Sequence, residues 1–281
     1  MLPRTLRGRR ALETVELNAA RAPACVIVLG ASNVSRGLAR LTAITRRRAN
    51  TALDLFVTAG HGRSYGAASR VAMRRLPSIL GSGLWRALDR EALTGGGAAA
   101  RQSSALVTDI GNDLLYGFAA GQVAAWVRES VRRLAERGSR TVVTRLPLAS
   151  LEGVGPGRYR LLRMCYVPGC RLSLTELKTA AHELDEAVAA IASEFDATLV
   201  EQPGEWYGLD AIHVRRRQLD SLWHRVCDAW GLPLVATPVR GSLAEWAQLG
   251  TKAAEVRSLA RRMRFTPQPV VRRPGLTLWL H

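Results

Sequence analysis

The chain has 281 residues, of which 47% are apolar, and a formal net charge of +17 at pH 7. This length favours one sizeable domain with extensions over two complete domains. No apolar run approaches the roughly 20 residues that cross a bilayer, and residues 1–23 contain no uninterrupted apolar segment of the kind found in secretory signals. We therefore expect a cytoplasmic protein without a transmembrane segment.

Arginine supplies almost all of the positive charge, because Lys178 and Lys252 are the only lysines. The arginines are scattered apart from short clusters, which favours weak attraction to anionic surfaces over specific nucleic-acid binding. The four cysteines have neither C-x-x-C pairing nor a histidine at metal-finger spacing, so we expect reduced thiols. The favoured interpretation includes no cofactor and no bound metal.

The first predicted strand covers residues 26–29, four apolar residues that end at Gly30 and are typical of a buried parallel strand. Ser32 follows at the carboxyl end of that strand, where open parallel sheets place their functional groups. Its hydroxyl has two alternative roles. It is either the N-cap of the helix predicted over residues 36–48 or a nucleophile.

A glycine-rich turn over residues 60–66 follows the second predicted strand, residues 53–59. Glycines there let the backbone approach a bound group and leave N–H groups accessible, although a turn that requires positive φ is the alternative. The third strand, residues 104–110, runs into Asn112 and Asp113. These two residues suit either a site or a helix start, and for Asp113 we favour a helix cap.

Three further stretches continue the alternation of strands and helices. A fourth strand is predicted over residues 141–146 and a fifth over 197–201. Between them lie an irregular basic segment, residues 148–171, which is a candidate lid or substrate rim, and a helix that opens with the capping box of Ser173 and Glu176. The pattern predicts a three-layer α/β/α sandwich around a roughly five-stranded parallel sheet.

Asp210 and His213 form a D-x-x-H pair on a loop before the next predicted helix. The carboxylate can hold one ring nitrogen of the histidine and leave the other free. The alternative is that Asp210 is only a helix cap. Trp206 and Tyr207 precede the pair and suggest an aromatic wall of a substrate pocket near His213.

This order of motifs resembles the SGNH hydrolases, also called the GDSL esterase/lipase superfamily. Gly30-Ala31-Ser32 is similar to the G-D-S block of the family with alanine in place of aspartate. Ile110-Gly111-Asn112-Asp113 is similar to its third block with isoleucine in place of the first glycine, and D-x-x-H is similar to its fifth block. Neither departure removes a reacting group.

The resemblance implies a flavodoxin-like SGNH hydrolase domain over residues 24–231, after an N-terminal extension of residues 1–23. It also implies a serine esterase or deacylase that cleaves an ester, such as an acylated carbohydrate or lipid. Ser32 would be the nucleophile, His213 the general base, and Asp210 the carboxylate that orients the imidazole.

The resemblance further implies an oxyanion hole. The N–H groups of Ser32 and Gly62 and the side-chain amide of Asn112 would stabilise the charge that develops on the carbonyl oxygen. Gly60 is the alternative to Gly62, because the local match to the family is ambiguous.

Two other hypotheses stay open. One is a metal-dependent hydrolase whose ligands are at strand ends: Asp109, Asp113, Asp210 and His213. The other is a catalytically silent binding or scaffold protein on the same fold, whose arginine-rich surface holds an acidic partner.

The tail, residues 232–281, is predicted as a C-terminal helical extension. Ser242 and Glu245 form a capping box. Apolar residues then recur at helical spacing as far as Pro267: Trp246, Leu249, Ala253, Val256, Ala260 and Met263. The apolar side of this helix needs a partner, which is either the main core or another copy of the chain in a homo-oligomer.

Overall fold

The structure is a computed structural model that describes residues 24–71, 74–94, 103–235, 239, 243–250, 256–259, 262–264 and 266–281. The predicted N-terminal extension, residues 1–23, lies outside the described residues. None of the helices in the described ranges combines the length and the apolar character that crossing a membrane requires.

The described strands are numbered in chain order. They are β1 (Ala24–Leu29), β2 (Leu53–Thr58), β3 (Ser69–Val71), β4 (Arg74–Leu76), β5 (Ser103–Val107), β6 (Arg140–Thr144), β7 (Thr198–Val200), β8 (Val256–Leu259), β9 (Arg262–Arg264), β10 (Val271–Arg273) and β11 (Leu276–Leu280).

The described helices are numbered in the same way. They are α1 (Ser32–Ala49), α2 (Leu84–Thr94), α3 (Asn112–Leu115), α4 (Ala120–Ala135), α5 (Leu148–Glu152), α6 (Pro156–Tyr166), α7 (Leu174–Glu194), α8 (Leu219–Ala229) and α9 (Leu243–Gly250).

A seven-stranded sheet in the order β10-β11-β2-β1-β5-β6-β7 forms the centre of the fold. All neighbouring pairs in it are parallel except β10 and β11. The smaller sheet β3-β4-β8-β9 is antiparallel. The five predicted strands are therefore all present, and the tail adds two more to the central sheet.

Helices cover both faces of the central sheet. In β1, Val26 and Val28 pack into one core together with α1 and α8, whereas Ile27 and Leu29 pack into the other together with α4 and α7. A strand that is buried on both faces needs the continuous apolar run that the sequence has. The predicted three-layer α/β/α architecture with a mostly parallel sheet is confirmed.

The helix predicted for the tail is present in part: α9 covers Leu243–Gly250, but two residues assigned to later turns of the helix lie on strands. Val256 and Met263 lie on β8 and β9, while Ala253 and Ala260 lie outside the described residues. The last strand, β11, pairs in parallel with β2, so this part of the tail is built into the sheet. The Pro-Gly turn before β11, in which Gly275 has φ +74°, is the signal that indicates a hairpin.

The short helix α9 packs against α1 of the same chain. The indole Nε1 of Trp246 donates to the Ser35 carbonyl at 3.0 Å, and Leu249 is buried. The apolar side of this helix thus has a partner within its own chain.

Trp279 on β11 is expected to be important for stability. It is 4% exposed, and its ring stacks on Phe56 of β2 with the centroids 4.1 Å apart. We expect Trp279→Ala to lower the free energy of unfolding by about 3–5 kcal/mol, measured by urea denaturation. The matched variant Leu234→Ala, at a side chain that is 82% exposed, should change it by less than about 0.5 kcal/mol.

Candidate active site

Ser32 is the first residue of α1, and two residues, Gly30 and Ala31, separate it from β1. The tight turn between them requires Gly30, because a Cβ at that position would lie 2.4 Å from Cγ2 of Val34. β1 lies between β2 and β5, so the segments that follow these three strands meet at one edge of the sheet. These segments carry Ser32, the glycine-rich turn and Asn112.

The N-terminus of α1 is capped by Asp109, which follows β5, rather than by Ser32. The N-cap residue, Ala31, makes no side-chain cap. Instead, Oδ2 of Asp109 accepts hydrogen bonds from the N–H groups of Ala31 at 2.8 Å and Asn33 at 3.1 Å. A carboxylate at this position also complements the helix dipole. The capping alternative for Ser32 is therefore wrong, and its hydroxyl is left for another role.

Asp210 and His213 form a tightly held pair. Nδ1 of His213 lies 2.5 Å from Oδ2 of Asp210, and Oδ1 accepts from the backbone N–H groups of Ile212 at 2.9 Å and His213 at 3.2 Å. Burial alone raises the pKa of Asp210, but the hydrogen bond and charge of His213 and these N–H groups outweigh burial and lower it. The carboxylate therefore stays ionised and fixes the ring orientation.

Asn33 connects the turn that carries Ser32 to the loop that carries His213. Its Oδ1 accepts from the N–H of Val214 at 2.9 Å, and its Nδ2 donates to the carbonyl of Ile212 at 3.4 Å. The same Nδ2 donates to Oδ1 of Asp109 at 2.7 Å. The buried amide thus holds the residues on both sides of His213.

Within the described residues, no hydrogen bond joins the hydroxyl of Ser32 to the imidazole of His213. Catalytic hydrogen bonds in structures without substrate are often long and tighten in the complex. The bridge through Asn33 joins the two segments that carry these groups.

The candidate oxyanion donors other than the N–H of Ser32 follow β2 and β5, the two strands that flank β1. The N–H of Gly60 is directed at the Ala31 carbonyl at 3.4 Å. Gly62 has φ +73°, a conformation that side chains disfavour. Asn112 begins α3 and is 9% exposed. The engagement of the Gly60 N–H favours Gly62 as the available glycine donor.

Asp113 is hydrogen-bonded to the glycine-rich turn. Its Oδ2 accepts from the N–H of Tyr65 at 2.9 Å, while α3 has Gly111 as its N-cap and no side-chain cap. The predicted capping role of Asp113 is therefore wrong. The hydroxyl of Tyr65 donates to the carbonyl of Thr108 at 2.7 Å, so these contacts join the turn to the end of β5.

Burial raises the pKa of Asp113 to about 6, which predicts a pH-dependent stability. The folded state binds this proton more tightly than the unfolded state, so the stability contributed by Asp113 is fully present below about pH 4 and is lost as the pH rises through about 6. The shift corresponds to about 3 kcal/mol. We expect Asp113→Asn to remove this pH-dependent contribution. The free energies of unfolding of the two proteins, measured by urea denaturation, should then converge at low pH and diverge as Asp113 loses its proton. Parallel profiles would contradict this expectation.

A cavity that is open to solvent on one side lies beside these residues. It is formed by the carboxyl ends of β5 and β6 and by α5, α6 and α7, and Asn33, Asn112 and Ile212 are in its wall. Each of these three residues is a candidate site residue or adjoins one. The cavity therefore adjoins the candidate site, although neither Ser32 nor His213 is part of its wall.

The two aromatic residues predicted to bind substrate lie in different places. Tyr207 lines the cavity, and its hydroxyl donates to Oε1 of Gln202 at 2.8 Å. Trp206 is buried in the core with the Arg225 guanidinium 4.7 Å from its ring centroid. Trp206 is not part of the cavity wall, which corrects the prediction for that residue.

Tyr166 is a site residue that sequence reasoning missed. Its ring lies edge-on to His213, with the centroids 5.5 Å apart, and its pKa is raised chiefly by the charge of Asp210. It ends α6, within residues 148–171, which were predicted as irregular but contain two helices. Pro156 at the first turn of α6 is the signal for that helix start.

The residues of the metal alternative have other partners. Asp109 caps α1, Asp113 accepts from Tyr65, and Asp210 holds His213. Across the described ranges of the chain, no three His, Cys, Asp or Glu side chains gather as a metal ion would require.

No protein-family model matches the sequence, and no curated protein matches it. The solved structures that are similar to this chain include EstA and TesA. The psychrotrophic esterase EstA from Pseudoalteromonas sp., solved as inhibited by monoethylphosphonate, has 13% identity and a TM-score of 0.42, over 74% of this chain and 96% of its own. TesA has 15% identity and a TM-score of 0.43, over 73% of this chain and 97% of its own. Both likenesses are distant.

Proposed function

We propose that this chain is a serine hydrolase of the SGNH type that cleaves a carboxylic ester. The observation that carries the proposal is the Asp210–His213 pair at 2.5 Å, which the buried Asn33 bridges to the turn of Ser32. A carboxylate, an imidazole and a hydroxyl in this order are the parts of nucleophilic acyl transfer.

In this mechanism, Nε2 of His213 takes the proton of Ser32 as its Oγ attacks the ester carbonyl. Asp210 holds the Nδ1–H and stabilises the imidazolium. The tetrahedral intermediate then collapses as His213 gives the proton to the leaving alkoxide. A water molecule repeats the two steps on the acyl-enzyme and regenerates the hydroxyl.

The negative charge of the tetrahedral intermediate needs donors that are in place before reaction. The N–H groups of Ser32 and Gly62 and the side-chain amide of Asn112 would supply them. One such donor contributes about 3–4 kcal/mol to transition-state stabilisation. Asp113 and Tyr65 support this role because they join the glycine-rich turn to the end of β5.

Turnover of p-nitrophenyl esters and acetylated sugars tests the proposal. We expect hydrolysis that EDTA leaves unchanged and that a fluorophosphonate inhibits irreversibly with one molecule bound per chain. Loss of turnover in EDTA would favour the metal-dependent alternative. The absence of both hydrolysis and reaction with the fluorophosphonate would favour a catalytically silent binding protein.

A further inference from the structure

The cavity beside the candidate site extends from the edge of the sheet to the outer helix layer. Asn112 and Ile212 form part of its wall at the sheet edge, whereas Leu177 and Ala181 contribute to it from α7. The side chains of Leu177 and Ala181 are 6% and 2% exposed. A group that enters beside the candidate oxyanion amide can therefore reach into the protein as far as α7.

Several polar side chains of the wall are already paired within the protein. Nε of Arg145 donates to Oδ2 of Asp185 at 3.1 Å. Nε2 of Gln202 donates to the Arg145 carbonyl at 2.6 Å, and its Oε1 accepts from Tyr207. Asp109 is bonded to the first turn of α1. These groups are thus engaged within the protein, and a polar ligand group that is buried without a partner is penalised.

The rest of the wall is largely aliphatic. It includes Leu114, Leu146, Leu151, Val154, Leu162 and Leu177. A recessed apolar surface beside a candidate reactive centre favours a ligand that is itself hydrocarbon, because burial of each methylene is favourable.

We propose that this cavity holds the acyl chain of the substrate, and that this chain is an aliphatic acyl group longer than acetyl. The inference rests on the proposed ester cleavage and names the substrate class for the same site. The acyl carbonyl would lie at Ser32 and Asn112, and the hydrocarbon chain would extend below α5 and α6 toward Ala181.

A chain-length series of p-nitrophenyl esters from acetyl to dodecanoyl tests the inference. We expect kcat/KM to rise about fourfold for each added methylene until the cavity is filled. The Ala181→Phe variant places a ring in the cavity and should lower the ratio of octanoyl to acetyl kcat/KM about 30-fold. The matched control is Ala190→Phe, which makes the same change at an exposed position of the same helix and should leave the ratio unchanged.

Leu162→Phe narrows the same cavity from α6, where the side chain is only partly buried, so it tests the inference if Ala181→Phe does not fold. A second readout is calorimetric binding of decanoate, which should be lost in both variants and retained in Ala190→Phe. The acyl-chain assignment is overturned if Ala181→Phe, Leu162→Phe and Ala190→Phe all hydrolyse the esters with the same ratio of octanoyl to acetyl kcat/KM. If no ester is hydrolysed, the proposed function fails, and decanoate binding alone then upholds or rejects the hydrocarbon site.

Discussion

Replacing Ser32 with alanine is expected to lower kcat for ester hydrolysis on the order of 10⁵-fold. The hydroxyl is the proposed nucleophile, and without it only the oxyanion donors and substrate binding remain. The fold should be unaffected, because Asp109 caps α1 in its place, so the free energy of unfolding should change by less than about 1 kcal/mol.

The matched control for this variant is Ser35→Ala, one turn further along α1. The hydroxyl of Ser35 donates to the carbonyl of Ala31 at 3.0 Å and has no proposed part in the reaction. We expect its kcat to stay close to that of the wild type. Equal rates for wild type and Ser32→Ala would remove Ser32 as the nucleophile.

Replacing Asn33 with leucine is expected to lower kcat by about 10²-fold to 10³-fold. The change keeps the size of the side chain but removes the hydrogen bonds to Ile212, Val214 and Asp109. Without them the loop of His213 is no longer held against the turn of Ser32, and a displacement of about 1 Å costs on the order of 10² in rate. Unpaired groups that stay buried should also destabilise the fold by about 1–3 kcal/mol.

A positioning role for Asn33 is distinguished from a purely structural one by kinetics on the folded protein. We expect kcat to fall while KM changes little, because the aliphatic residues that line most of the cavity are unchanged. Asn50→Ala provides the control, since Asn50 ends the same helix with φ +49° and should affect stability alone. A normal kcat per folded Asn33→Leu molecule would show that the bridge does not position His213.

The five strands predicted from the sequence were accessible to prediction because a parallel strand buried on both faces favours an apolar run, which β1 shows most clearly. The structure of the tail could not be predicted in the same way. Val256 and Met263 satisfy helical spacing although they lie on strands. β11 is short, and its stability comes from pairing with β2 and from stacking of Trp279 on Phe56. Such contacts are distant in the sequence, so local periodicity does not indicate them.

The candidate site was predictable where its parts are close in the sequence. The spacing of Asp210 and His213 indicates their hydrogen bond, because a carboxylate three residues earlier on a loop reaches the ring. The capping of α1 by Asp109 depends instead on the position of β5 beside β1. It also depends on the backbone of Asp109, which has φ +61°. Tyr166 faces His213 only because α6 folds over the edge of the sheet, which no local pattern encodes.

Direct detection of an acyl-enzyme tests the central claim, that Ser32 attacks the ester. Wild-type protein mixed with p-nitrophenyl octanoate and quenched in acid should gain the mass of one octanoyl group, and peptide mapping should place it on Ser32. Ser32→Ala should gain none. Turnover of the ester with no adduct, or with an adduct mapped to any other residue, would contradict the account.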